Sequence, residues 1–185
     1  MIIGPDYRSA ARAPHDGITK AGIKSKAPDM FDVLVYLFEN YIHAEACPAP
    51  DQLARKLSAA GFEDEEISEA LEWLSDLNSD SDGYAPADAP SSRAIRIFAA
   101  EELSKLGSEG YGFLVFLDSA GVLDTRTREL IIDRIMALPD PSVSVGRIKV
   151  IVLMVLWKEA RPMDSLLVDE LLTEDEDGDE VPVLQ

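Results

Sequence analysis

Cysteine and histidine are nearly absent: the chain holds one of the first, Cys47, and two of the second, His15 and His43. A lone thiol cannot close an internal disulfide, so the fold owes nothing to an oxidising compartment. His15 lies in the leading segment, which leaves His43 alone in the folded part, and no Ser–His–Asp arrangement can be built. Positive charge is scarce, with 17 Lys and Arg against 35 Asp and Glu and a formal net charge of −18. Such a chain repels phosphate backbones and anionic lipid surfaces at long range and favours basic surfaces on other proteins. Long apolar runs are missing as well. The longest, Val150 to Trp157, falls far short of the ~20 residues that span a bilayer. Residues 1–29 contain no apolar stretch of the secretory kind, and a cytoplasmic protein with no membrane partner is expected. The glycines of Gly107–Gly112 lack a preceding strand and a Lys-Ser/Thr pair, so they make no phosphate loop.

What the chain does have is enough apolar surface for a core. Hydrophobic residues make up 46% of the 185, which suits one medium domain or two small ones sharing a core. Residues 1–29 stand apart. Five basic residues (Arg8, Arg12, Lys20, Lys24, Lys26) and three acidic ones give this segment +2 and leave −20 on the remainder. No helical or strand period runs through it, and it cannot bury enough surface to offset its ordering entropy. A basic arm for nucleic acid is one reading. A disordered leader, or a start placed upstream of Met30, is the favoured one.

From Phe31 the pattern becomes helical. Phe31, Leu34, Leu37, Phe38, Tyr41 and Ile42 share a face, and the helix should fade near Ala46 before Pro48 and Pro50. A second helix is predicted over 51–60, with Leu53 and Leu57 inward and Gly61 as a left-handed C-terminal cap backed by Phe62. Asp64 should cap a third helix to Leu77, with Glu65 and Glu66 at the positive end of its dipole and Ile67, Ala70, Leu71 and Leu74 as its apolar stripe. Residues 78–92 read as a linker. Arg93–Phe98 alternates and is a candidate short strand. A fourth helix from Ala99 holds Leu103 and Leu106; a fifth covers Ser108–Ala120, with Phe113, Leu114, Phe116 and Leu117 as core candidates. Asp124 or Thr125 should cap a sixth to Leu138. The segment Val145–Ala160 is apolar almost all round and should be the central buried helix. An amphipathic turn, Ser165–Leu172, precedes an acidic tail over 173–185. The expected fold is all-α: two small helical subdomains, 30–77 and 93–172, about seven helices in all.

Several constellations invite a function and fail on chemistry. The helical pair 51–60 and 64–77 has the lengths of a helix–turn–helix, but its second helix would present Glu63, Asp64, Glu65 and Glu66 to phosphates. A protein-facing hairpin suits those carboxylates better. His43 and Cys47 lie four apart, yet structural zinc needs four protein ligands and no further cysteine exists. Asn78–Gly83 and Thr173–Gly178 open like calcium loops, but Ala89 and Leu184 stand where a bidentate Glu is required. Arg126, Arg128, Arg134, Arg147 and Lys149 form the one candidate basic patch, with Glu129 and Asp133 interleaved and no aromatic platform for single strands.

The run Met30-Phe31-Asp32-Val33-Leu34, continued by Tyr36-Leu37-Phe38-Glu39 and Tyr41-Ile42-His43, resembles the opening of the Smg family of small bacterial proteins. Gly61-Phe62, Ile67, Ala70-Leu71 and Trp73-Leu74 are similar to its second block. Arg96-Ile97, Glu101-Glu102, Gly112-Phe113-Leu114 and Phe116-Leu117 follow in order, as do Arg128-Glu129, Ile132, Arg134, Ala137-Leu138 and Leu153–Leu156. The likeness covers residues 30 to 172. It implies a natural start at Met30 and a cytoplasmic setting near DNA or translation machinery. It implies no activity, cofactor or catalytic residue. The reading is therefore a non-enzymatic acidic helical interaction module for a partner with a basic surface, with Glu63, Asp64, Glu65 and Glu66 as the candidate face. No catalytic, cofactor or metal residue is assigned. The alternative is direct nucleic-acid binding through Arg126, Arg128, Arg134, Arg147 and Lys149.

Overall fold

The structure, a computed structural model, describes residues 29–41, 50–83 and 96–173. They form seven helices: α1 (Met30–Tyr41), α2 (Pro50–Ala60), α3 (Asp64–Gly83), α4 (Ala100–Ser119), α5 (Thr125–Ala137), α6 (Val145–Lys158) and α7 (Ser165–Leu172). The fold is all-α, as the periodicities predict.

α6 is the axis of the packing. Every residue from Ile148 to Leu156 is buried, because a helix that is apolar all round can satisfy itself only by being surrounded. α1, α4, α5 and α7 all pack on it, while α3 covers α1 and α2 covers α3. The apolar faces of both halves of the chain meet in one core, in which Leu34, Phe38, Leu114, Ile131 and Leu153 are almost fully enclosed. The rings of Phe38 on α1 and Trp157 on α6 meet edge to face at 5.7 Å, an arrangement that aligns the positive ring edge with the negative face.

The helix ends obey local chemistry. Gly61 (φ 101°) and Gly121 (φ 74°) adopt the left-handed conformation that closes α2 and α4. Each end carries the paired bonds of a Schellman turn: Gly61 N–H to Ser58 O (3.1 Å) with Phe62 N–H to Leu57 O (3.3 Å), and Gly121 N–H to Asp118 O (3.1 Å) with Val122 N–H to Leu117 O (3.0 Å). Phe62 then packs edge to face on Tyr36 of α1, at 5.5 Å. Asp124 caps α5 by accepting from Thr127 N–H at 2.8 Å, and Asp164 caps α7 by accepting from Leu167 N–H at 2.8 Å.

Some expectations require correction. Arg96–Ala99 is irregular, and no strand occurs among the described residues; the candidate strand's Arg93–Ile95 lie outside them. The Arg96 side chain, not a backbone ladder, ties this segment down. α3 runs on to Gly83, so residues 78–83 are helix rather than linker and Asn78–Gly83 cannot be a cation loop. The fourth and fifth predicted helices are one element, α4, interrupted where the glycine signal falls: Gly107 sits at φ 65°, ψ −179°. Phe116, expected in the core, is 62% exposed, and Leu103 is exposed too. Asp29 belongs to the folded part. Its Oδ1 accepts from Phe31 N–H (2.9 Å), and its own N–H donates to Asp32 Oδ2 (2.7 Å), a reciprocal cap on α1.

Candidate functional site

The acidic face predicted at Glu63–Glu66 sits at the start of α3. Its four carboxylates are not equivalent. Glu66 turns back, and its Oε2 accepts from Glu63 N–H at 2.9 Å, while Asp64, expected to cap the helix, is its first residue. Glu63, Asp64 and Glu65 are exposed. The face then continues where sequence reasoning did not look. Glu65, Glu69, Glu72 and Asp76 follow one another at spacings of four, three and four, the steps that keep residues on one side of a helix. The inner side of α3 is Ile67, Ala70, Trp73 and Leu77, all buried. α3 contains no Lys or Arg, and no ion pair reaches Glu65, Glu69, Glu72 or Asp76 among the described residues. The spacing was a readable signal; it was obscured by the abundance of acids elsewhere.

This face borders a cleft of about 320 Å³ between α3, the start of α1, the end of α5 and the start of α6. Glu69, Glu72 and Asp76 form one wall, and Phe31, Trp73 and Leu138 supply apolar surface. Arg147 lies on another side, held by Asp29 at 2.7 Å and Asp140 at 3.4 Å, with its guanidinium over the Phe31 ring at 5.0 Å. Burial lowers the Arg147 pKa, but the Asp29 and Asp140 carboxylates more than offset it and raise it overall. The buried indole Nε1 of Trp73 has no hydrogen-bond partner among the described residues.

The five cations of the predicted basic patch are dispersed among carboxylates. Arg128 is buried and reaches Asp118 of α4 at 3.1 Å and Glu129 at 3.0 Å. Arg134 donates to Asp133 at 2.9 Å. Arg147 faces Asp29, and Lys149, also buried, pairs with Glu170 of α7 at 3.0 Å. Arg126 is the exposed member. Three of these cations thus bridge α6 or α5 to other parts of the fold rather than presenting one surface.

A further ionic cluster is built on Arg96. Arg96 grips Glu102 with two bonds (2.7 and 2.8 Å) and Glu129 through Nε (2.9 Å) and Nη2 (2.9 Å), with its plane 4.3 Å from the Phe98 ring. The Arg96 hydrogen bond holds Glu102 below the usual carboxylate range. Burial pushes Glu129 up, but hydrogen bonds from Arg96 and Arg128 outweigh it and leave that group lowered too. The same carboxylates raise Arg96, chiefly through the Glu102 hydrogen bond. The cluster joins the segment before α4 to α5 and is a clamp.

His43 and Cys47 lie outside the described residues. Among those described, no group of three His, Cys, Asp or Glu side chains is placed to hold a metal ion, and no helix is long and apolar enough to cross a membrane.

These observations define an all-helical protein with a cation-free acidic helix beside a small mixed cleft. The family model described as "Protein of unknown function (DUF494)" matches residues 30–180, and the chain belongs to that family. It is similar to proteins called "Protein Smg homolog". That of Aromatoleum aromaticum (strain DSM 19018 / LMG 30748 / EbN1) is 59% identical over 157 residues, 84% of this chain and 100% of the relative. That of Azoarcus sp. (strain BH72) is 57% identical over 148 residues, 80% and 96% of the two chains. That of Bordetella petrii (strain ATCC BAA-461 / DSM 12804 / CCUG 43448) is 50% identical over 147 residues, 79% and 96%. The resemblance to Smg read from the residues is borne out. No solved structure matches the chain.

Proposed function

We propose that this protein is a non-enzymatic cytoplasmic interaction module whose acidic α3 face binds a basic surface on another protein, within nucleic-acid or translation machinery. The observation that carries the reading is the run Glu65, Glu69, Glu72 and Asp76, continued at the helix start by Glu63 and Asp64. All six carboxylates are exposed, Glu65, Glu69, Glu72 and Asp76 stand on one face, and none has an ionic partner among the described residues. Carboxylates kept in water and unneutralised steer a cationic partner and add to its on-rate. Glu66 supports the face indirectly by fixing the start of the helix.

The test is affinity capture from the native cytoplasm, with and without nuclease, using the full chain and a variant carrying Glu63→Lys, Asp64→Lys, Glu65→Lys and Glu69→Lys. The expected result is a stoichiometric protein partner that survives nuclease and is lost from the variant. A partner set unchanged by the substitutions would overturn the assignment to this face. The alternative, nucleic-acid binding through Arg126, Arg128, Arg134, Arg147 and Lys149, draws less support, because carboxylates already engage Arg128, Arg134, Arg147 and Lys149. No mobility shift with DNA or RNA at low salt is expected, where counterion release would make a true phosphate binder strongest.

A further inference from the structure

The acidic face and the cleft beside it are separable. Glu63, Asp64 and Glu65 stand at the start of α3, whereas Glu69, Glu72 and Asp76 line the cleft. Five carboxylates and two guanidiniums line it in all, but they do not cancel evenly. Arg147 is already held by Asp29 and Asp140, and Arg134 by Asp133 outside the cleft. Glu69, Glu72 and Asp76 have no such counter-charge among the described residues. An approaching group therefore meets a negative wall over an apolar floor of Phe31, Trp73 and Leu138.

The floor contains a second, independent feature. Trp73 is about nine-tenths buried, and its Nε1 donor is buried with no acceptor among the described residues. Buried indole N–H groups usually find a partner, and this one, on a side chain that lines the cleft, has none among the described residues. The cleft volume of about 320 Å³ lies at the small end of the ~300–1,000 Å³ of ligand clefts, enough for one or two side chains rather than a cofactor.

We propose that this cleft receives an arginine- or lysine-bearing peptide segment of a partner protein. The cationic head pairs with Glu69, Glu72 and Asp76; the aliphatic stem lies on Phe31 and Leu138; a carbonyl of the segment accepts from Trp73 Nε1. The proposal rests on the reading of the protein as a binder of basic surfaces and names where on the acidic helix recognition is made.

Two triple variants of the full chain separate the two ideas, because each removes three negative charges, one set in the cleft wall and the other at the start of α3. One is Glu69→Gln, Glu72→Gln, Asp76→Asn in the cleft wall; the other is Glu63→Gln, Asp64→Asn, Glu65→Gln at the helix start. The probe is a fluorescent hexa-arginine peptide, read by anisotropy near physiological salt, with thermal melts to show that both variants fold. In parallel, the indole N–H signals of the two tryptophans are followed by NMR, assigned through Trp157→Phe. The cleft variant should weaken binding by about tenfold or more, as loss of three partly desolvated charge contacts would. The helix-start variant should cost less than about threefold, the size of a screened long-range effect. The Trp73 indole signal should move on titration.

Equal weakening by the two variants, or a stationary Trp73 signal with binding intact, would overturn the cleft while leaving the acidic-face reading standing. No binding of hexa-arginine even at low salt would overturn both. Displacement of the peptide by a single-stranded oligonucleotide that itself shifts Trp73 would overturn the protein-segment assignment in favour of nucleic acid.

Discussion

Two glycines of α4 carry different burdens. Gly107 holds a backbone conformation, φ 65° with ψ −179°, that side chains with a Cβ rarely adopt, although nothing crowds the position. Gly107→Ala should therefore cost about 1–3 kcal/mol through backbone strain alone, seen as a lower urea midpoint without a change in slope. Gly110 has ordinary helical geometry but faces α6, and an added Cβ would stand 2.4 Å from Ile148 Cδ1. Ile148 is fully buried, so its methyl has nowhere to swing. Gly110→Ala should cost about 1–3 kcal/mol by overpacking, and the pair Gly110→Ala with Ile148→Val should recover part of that loss in a double-mutant cycle. Emptying the centre should be more severe: Leu153→Ala and Phe38→Ala each should cost about 2–5 kcal/mol by denaturant titration.

At the scale of elements, side chains from distant segments finish what the helices leave open. Lys105 of α4 is buried and donates through Nζ to Met136 O (3.0 Å) and to Leu138 O, while its own carbonyl accepts from Val143 N–H at 2.9 Å. An ammonium thus satisfies carbonyls at the negative end of α5. Lys105→Met keeps the stem and strands those carbonyls, which should cost about 1–3 kcal/mol in a thermal or urea melt. The Arg96 clamp gives a pH signature. Glu102 and Glu129 are both lowered from an ordinary 4.5. Groups with depressed folded-state pKa values contribute stability that is complete above the unfolded value and lost as pH falls through the folded one. The urea midpoint should hold above about pH 5 and fall below 4.5, and Arg96→Gln should flatten that fall. The helices themselves were legible, because a 3.6-residue apolar period is written in neighbouring residues. The clamp was not, because Arg96 and Glu129 are 33 residues apart and only the packing of α4 against α5 makes them neighbours. The end of α3 was missed for a related reason: Asn, Ser and Asp compete locally with helical hydrogen bonds and so read as linker. On the candidate site, the start of the acidic face was legible, but its continuation into the cleft was not, because the cleft exists only where α1, α5 and α6 converge on α3.

For the whole molecule, the question is whether residues 30–77 and 93–172 behave as two subdomains or one unit. We propose two subdomains that unfold together, since α1 of the first half packs on α6 of the second and Phe38 meets Trp157 across that boundary. The chain supplies its own reporters, with Trp73 in the first half and Trp157 in the second. Single-tryptophan variants, Trp73→Phe and Trp157→Phe, should give coincident urea transitions by fluorescence; separated midpoints would mean that the halves melt independently. The central place of α6 also has a consequence for how the protein is born. α1 leaves the ribosome first, but the helix that covers its apolar side follows about a hundred residues later. At ~5–20 residues per second that is a wait of roughly 5–20 s. During that interval Leu34, Leu37 and Phe38 lack the cover that α6 gives α1, which makes the nascent chain a natural client for chaperones until its last third has been synthesised.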